Sequence, residues 1–166
     1  MFCSKQCRKA ACSTYHLYEC DIRLYELIGL EETEMQGLFL ALRAVTQRDL
    51  DYFLAQRDMI EIFLDQEEPM FPISETEPYA SLDYKTLLNL VNHISETPED
   101  VSLRNAVVSI FFLRFLQHGN YFRKRVPERL KGDRCLHPHE LVILRIIHHM
   151  ICVQSYNTQP IMRLVM

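Results

Sequence analysis

The stretch HPHELVILRIIHHMICVQSY, residues 137–156, carries apolar side chains on nearly every face of one predicted helix. A helix that is hydrophobic all round is a buried helix. We therefore expect this segment at the centre of the fold, with other helices packed around it. His137 or the neighbouring Asp133 is expected near its N-cap, Cys152 is expected in the core, and Pro160 stops any continuation.

Further helices are predicted along the rest of the chain, where apolar residues recur at spacings of three and four. These helices cover residues 21–30, 34–47, 49–64, 81–94 and 97–116. The last of them has the clearest boundaries. Thr97 is its expected N-cap, Pro98 its first helical residue, and Gly119-Asn120 its end. The helix over 81–94 is expected to begin after Ser81 as its cap.

The segments between these helices predict loops, and very little of the chain predicts a strand. Residues 65–80 are rich in carboxylates and proline, and residues 123–134 are basic, so both are expected to be loops. Only the tail PIMRLVM, residues 160–166, has a composition that suits a strand. We therefore predict a mainly α fold.

Composition and charge exclude several functional classes. The chain is 48% hydrophobic and 24% charged, with a net charge of −4, so bulk binding of nucleic acid is not expected. No secretory signal is visible, and the most apolar stretch, residues 105–116, is shorter than a membrane span and contains Arg114. We expect an intracellular protein of the cytoplasm, the nucleus or both, with no membrane association.

The N-terminal stretch FCSKQCRKAACSTYHLYEC, residues 2–20, contains four cysteines and a histidine. Cys3 and Cys7 are four residues apart, and so are His16 and Cys20. Residues at this spacing share one face of a helix, so each pair can hold a zinc ion from one side. Cys12 fits neither spacing and is expected to be a buried or free thiol. The alternative is a chance cluster of reduced cysteines on two short helices.

This stretch resembles the second half of a MYND-type zinc finger. The shared features are the Cys-Ser start, the C-x3-C pair, and the ending Tyr15-His16 followed by Glu19-Cys20. The resemblance implies two interleaved zinc ions, each completed by a Cys-x2-Cys pair that lies upstream in the family. Three outcomes stay open: a longer chain supplies the missing ligands, the two pairs share one ion, or the segment binds no zinc. We favour the first.

The helical remainder resembles the insert of the SET-and-MYND family of protein lysine methyltransferases, with arthropod-type members the nearest group. The matching stretches are LFLALRAV, LLNLVNHI and HHMICVQSYNTQPI. The resemblance divides the chain into half a MYND finger (1–20), a helical insert of a split SET domain (21–156) and the start of a SET-core strand (157–166). The chain would then be truncated before the β-rich SET core.

The same resemblance implies that His93 and Asn157 contact S-adenosylmethionine in a full-length protein, with Tyr156 in place of the usual cysteine. From the residues alone, His93 reads as a capped or core histidine of an apolar helix, and Asn157 as a turn residue. Zinc and S-adenosylmethionine are the expected cofactors. The expected partner is a protein, or a protein substrate with a histone or non-histone lysine.

Several family features are absent from this sequence: the Asn-His-Ser-Cys motif, the catalytic tyrosine segment, the post-SET cysteines and the Gly-rich first strand. Methyl transfer needs a channel that aligns amine, methyl and sulfur, so we expect the isolated chain to be inactive. The alternative is a non-catalytic helical interaction module with a vestigial or single zinc site.

Two other groups of histidines were weighed as metal sites. His137 and His139, two residues beyond Cys135, can chelate in extended structure, but they also suit a loop that leads into a helix, which we favour. His148 and His149 point about 100° apart on a helix and cannot chelate one ion together.

Overall fold

The computed structural model describes residues 3–19, 32–66, 68, 84–122, 125–127 and 135–157. Most of these residues are helical, and none of those described lies in a strand, so the fold is mainly α as predicted. The helices are α1 (Lys5–Ser13), α2 (His16–Glu19), α3 (Glu32–Thr46), α4 (Leu50–Ala55), α5 (Arg57–Leu64), α6 (Tyr84–Leu88), α7 (Glu99–His118) and α8 (Pro138–Asn157), with a 3-10 turn at Ile94–Glu96.

Helix α8 is the central helix, and this prediction is confirmed. It packs against α3 and α7 along its length and also contacts α5 and α6. Its buried apolar side chains are Val142, Ile143, Ile146, Ile147, Met150, Ile151, Cys152 and Val153. Because these side chains point in all directions around the helix, each neighbouring helix buries its apolar face against a different side of α8.

The N-terminus of α8 is capped by its own residues, and the expectation for His137 is confirmed. The His137 Nδ1 atom accepts from the His139 amide at 3.2 Å, and the Glu140 carboxylate accepts from the His137 amide at 2.8 Å. This is the reciprocal arrangement of a capping box, with an imidazole in place of a hydroxyl. Pro138 at the first helical position lacks an amide that would need a partner.

Helix α7 ends as predicted and begins one residue later than predicted. Its cap residue is Pro98 instead of Thr97, whose hydroxyl donates to the His93 carbonyl at 2.8 Å. At the other end Gly119 is the cap, and Asn120 adopts a left-handed conformation with φ 62°. Asparagine tolerates this region better than most residues, so the chain reverses there at little cost.

The predicted helix over residues 49–64 is two helices that meet at Gln56. The Gln56 amide donates to the Phe53 carbonyl at 3.2 Å, which closes a turn tighter than that of an α-helix. The Gln56 side chain takes up the Tyr52 carbonyl, with its Nε2 atom at 3.5 Å. A side chain that competes for this carbonyl interrupts the helical ladder, a local effect that apolar spacing does not reveal.

The predicted helix over residues 81–94 is wrong beyond Leu88. Helix α6 ends there, and the Asn92 side-chain oxygen accepts from the Ile94 amide at 3.2 Å. This local hydrogen bond stabilises a turn in place of a helix. His93 has φ 49° and precedes the 3-10 turn, so it does not lie on an apolar helix.

Several predicted segments lie outside the described residues. These are the helix over 21–30, the N-terminal part of the 81–94 segment with Ser81, the tail strand over 160–166, and almost all of the acidic and basic loops. Within the basic loop Arg125 is described, and its guanidinium pairs with the Asp51 carboxylate at 2.6 Å.

Candidate metal-binding hairpin

Helices α1 and α2 pack on each other and form an N-terminal hairpin, residues 3–19. Ser4 caps α1, and its hydroxyl accepts from the Cys7 amide at 3.1 Å. The cap places Cys3 one turn from Cys7, so the two exposed Sγ atoms lie 3.0 Å apart. Hydrogen bonds from Cys3 and then from Ser4 lower the pKa of the Cys7 thiol. The structure therefore brings this predicted pair together.

The Cys3–Cys7 pair fits one side of a tetrahedral zinc site. Zinc–sulfur bonds of about 2.3 Å at tetrahedral angles separate two thiolates by about 3.8 Å. The observed separation of 3.0 Å is smaller by under an ångström. Both side chains are exposed, so rotation about their χ1 angles can supply that change without moving the helix.

The second predicted pair is described only in part. His16 is the first residue of α2 and is half-buried, whereas Cys20 lies outside the described residues. Ser4 and His16 line one open concavity of about 510 Å³ together with Lys5, Arg8 and Cys12. Within the described ranges, no three His, Cys, Asp or Glu side chains come close enough to hold one ion. Cys12 is a free, exposed thiol, so the buried alternative for it is wrong.

An ion pair attaches the hairpin to the helical body. The Arg43 guanidinium on α3 donates to both carboxylate oxygens of Glu19, with distances of 2.5 Å from Nε and 2.8 Å from the terminal nitrogen. Glu19 is only 9% exposed, and its hydrogen bonds raise the pKa of Arg43. The same guanidinium lies 4.9 Å from the centre of the Tyr15 ring. Forked geometry and an aromatic face are both contacts that arginine makes better than lysine.

Tyr18 makes the second contact between hairpin and body. Its ring meets the Tyr121 ring edge-on at 5.8 Å, and burial raises the pKa of its hydroxyl. It also packs on Gly119, where a Cβ atom would lie 2.9 Å from the Tyr18 ring. Tyr121 is fixed in turn, because its hydroxyl donates to the Arg48 carbonyl at 3.1 Å.

The sequence did not predict this attachment. Glu19 and Arg43 were noted only as parts of two separate matching stretches, 24 residues apart. The signal that was present is the isolated charge of Arg43 in the otherwise apolar LFLALRAV, since such a charge needs a partner when it approaches a core.

The two predicted cofactor residues lie on different elements. His93 is half-buried before the 3-10 turn, and its Nδ1 atom lies 3.5 Å from a Glu96 carboxylate oxygen. Asn157 is the last residue of α8, so it is helical and the interpretation as a turn residue is wrong. The strand that was expected to begin at residue 157 therefore begins no earlier than residue 158, which lies outside the described part of the chain.

A polar cluster lies between α7 and α8. The Asn105 amide and the His148 Nε2 atom each lie 3.7 Å from the Cys152 sulfur, and the His148 Nδ1 atom lies 3.2 Å from the Ser109 hydroxyl. Burial raises the pKa of Cys152 and lowers that of His148, which keeps both groups neutral near pH 7. A neutral buried thiol is a poor nucleophile, so this cluster orients the two helices and does not form a catalytic pair.

The remaining histidines behave as the more ordinary alternatives predicted. His149 turns away from His148 and lies 3.3 Å from the Asn92 amide nitrogen. The His137 Nδ1 atom is occupied as a cap acceptor. His137 and His139 therefore serve the start of α8.

A scan against protein-family models finds no matching family for this chain, and comparisons with curated proteins and with solved structures find no match. No helix in the described ranges is both long and apolar enough to cross a membrane.

Proposed function

We propose that this chain is part of a SET-and-MYND-type protein lysine methyltransferase. In this proposal Cys3, Cys7, His16 and Cys20 are zinc ligands, and the helical body is the insert that supports the finger. His93 and Asn157 would contact S-adenosylmethionine in the complete enzyme. The substrate would be a lysine of a histone or of another protein.

The observation that carries the proposal is the Cys3–Cys7 pair. Two exposed sulfurs 3.0 Å apart at a capped helix start form a preorganised half of a thiolate site. His16 lies on a separate turn, which suits a finger with two interleaved ions better than one shared ion. In such a finger each ion needs further ligands, because structural zinc is four-coordinate.

The ion pair of Glu19 with Arg43 supports the same proposal. These residues belong to the two stretches that resemble consecutive parts of the family, the end of the finger and the helix after it. Their contact at 2.5 and 2.8 Å attaches the finger directly to the insert. A buried, forked pair of this kind is more specific than a surface ion pair.

Cobalt binding by the purified chain tests the zinc site. Co²⁺ takes the place of zinc, and cobalt–thiolate bonds absorb in the near ultraviolet. We expect this absorption for the wild-type chain and its loss in a Cys3→Ser, Cys7→Ser double variant. A Cys12→Ser variant is the matched control and should keep it. The proposal is contradicted if the wild-type chain shows no thiolate absorption.

The size of the endogenous polypeptide tests the enzyme assignment. An antibody against the whole chain should detect a species well above 19.7 kDa that methylates lysine in a protein substrate when isolated. The purified 166-residue chain alone should not methylate. A single endogenous species of 19.7 kDa without methyltransferase activity would contradict this part of the proposal.

A second candidate function, a helical protein-interaction module, is favoured by one surface of α7. Leu103, Val107 and Ile110 lie on one face of this helix and are 68%, 51% and 49% exposed. Acidic Glu99 precedes this apolar face and basic Arg114 follows it. The partner that fits is an amphipathic helix with the opposite order of charges, docked along α7.

Proximity labelling in cells with wild-type and Val107→Asp chains tests this second function. A protein labelled by the wild-type chain and lost with the variant would support it. Identical labelled sets would contradict it.

A further inference from the structure

We propose that Arg43 is a positioning residue for the metal site, through which the helical body sets the metal affinity of the hairpin. This inference rests on the proposed zinc site and concerns how His16 is held. Arg43 lies on α3, outside the hairpin, and was not among the predicted ligands.

The contacts of Arg43 lie on both sides of His16. Its guanidinium lies over the ring of Tyr15, the residue before His16, and forks onto Glu19, three residues after it. One side chain therefore fixes both ends of the turn that carries the imidazole. Second-shell contacts of this kind orient a ligand before the metal arrives.

The turn that carries His16 needs such support. Helix α2 has four residues, and so short a helix does not form by itself in water. Its position comes from its packing on α1 and from the side chains that meet the body. Tyr18 on Gly119 and Tyr121 provides the remaining contact.

The Cys3–Cys7 pair is held in a different way. Its geometry comes from the Ser4 cap and the nine-residue helix α1. Arg43 contacts neither cysteine in the hydrogen bonds and ion pairs of the described residues. Loss of Arg43 should therefore weaken the contribution of His16 and leave that of the two thiols.

The experiment measures the dissociation constant for Co²⁺ in the full chain. The His16→Ala variant defines how much affinity His16 supplies. We expect Arg43→Ala to lose most of that amount, roughly 10–100-fold in affinity, and Arg43→Lys to lie between it and the wild type. Arg57→Ala is the matched control, because Arg57 forms an exposed pair with Glu61 at 2.7 Å, and its affinity should not change.

A second variant undocks the hairpin without touching the ion pair. In Gly119→Ala the new Cβ would lie 2.9 Å from the Tyr18 ring, while the Gly119 φ of −72° suits alanine. Hydrogen exchange without metal should show faster exchange at residues 16–19 in both this variant and Arg43→Ala. Both variants should then share the loss of cobalt affinity.

The outcomes separate the two proposals. Absence of thiolate–cobalt absorption in the wild type, or wild-type affinity in His16→Ala, would overturn the proposed site and this inference with it. Normal affinity in Arg43→Ala, or in a Gly119→Ala chain whose hairpin exchanges fast, would overturn the positioning role alone. Loss of affinity in both variants, with Arg57→Ala unchanged, supports it.

Discussion

The N-terminal hairpin and the helical body differ in what holds them together. In the body, α3, α7 and α8 bury a continuous set of aliphatic and aromatic side chains. In the hairpin, Ala11 is the only apolar side chain that is buried among the described residues 3–19. The hairpin depends on a serine cap, an ion pair and two tyrosines, with metal ligands at its surface.

This difference separates folding from function in the molecule. Burial of apolar surface is the largest favourable contribution to folding, and it lies almost entirely in the body. The residues with metal chemistry lie where apolar burial is least. We infer that the body folds without metal and that it supplies a fixed surface for the hairpin.

The largest expected effect comes from a cavity in the body. Phe112 on α7 is 0% exposed, and Phe112→Ala should lower the free energy of unfolding by about 3–5 kcal/mol. Urea unfolding followed by circular dichroism measures this. The control is Val107→Ala on the same helix, which is 51% exposed and should change stability by about 0.5 kcal/mol or less. Equal losses in the two variants would mean that α7 does not pack as described.

Acid should destabilise the body through His149. Burial, with a smaller contribution from His148, lowers the pKa of His149 to about 4. Because this value lies below that of an unfolded chain, near 6.5, the unfolded state takes up the proton first as the pH falls. The contribution is complete above about pH 6.5 and decreases towards pH 4, by roughly 3 kcal/mol.

Unfolding measured between pH 7 and pH 4.5 tests this assignment. A His149→Gln variant should lose most of the pH dependence over this range, whereas His118→Gln, at an exposed histidine, should retain it. Retention of the full slope in His149→Gln would assign it to other groups.

The central helix and the helical class were predictable, and the reasons are physical. An apolar run of twenty residues has few ways to avoid water other than burial, so the position of α8 follows from composition. The breaks at Gln56 and Asn92 were not predictable from apolar spacing. Each depends on one side chain that competes for a backbone group, and the periodicity of the surrounding residues continues through it.

The candidate site was predictable in its ligands and not in its support. Spacing alone predicted that Cys3 and Cys7 meet, because four residues make one turn of a helix. The contact of Glu19 with Arg43 joins two elements, and nothing in local sequence sets the distance between elements. Such contacts depend on how the helices pack, which apolar patterns restrict but do not determine.

The smallest expected effect is local to the hairpin and tests its independence from the body. Ser4 accepts the Cys7 amide, so Ser4→Ala leaves that amide without its cap and should destabilise α1 by about 1 kcal/mol. Hydrogen exchange should become faster in α1 and stay unchanged in α8. Ser13→Ala is the control, because the Ser13 hydroxyl donates to the Ala10 carbonyl at 2.9 Å near the end of α1 and caps no amide. If Ser4→Ala lowered the unfolding midpoint of the whole chain as much as Phe112→Ala does, the hairpin would belong to the same cooperative unit as the core, and the separation of folding from metal chemistry would fail.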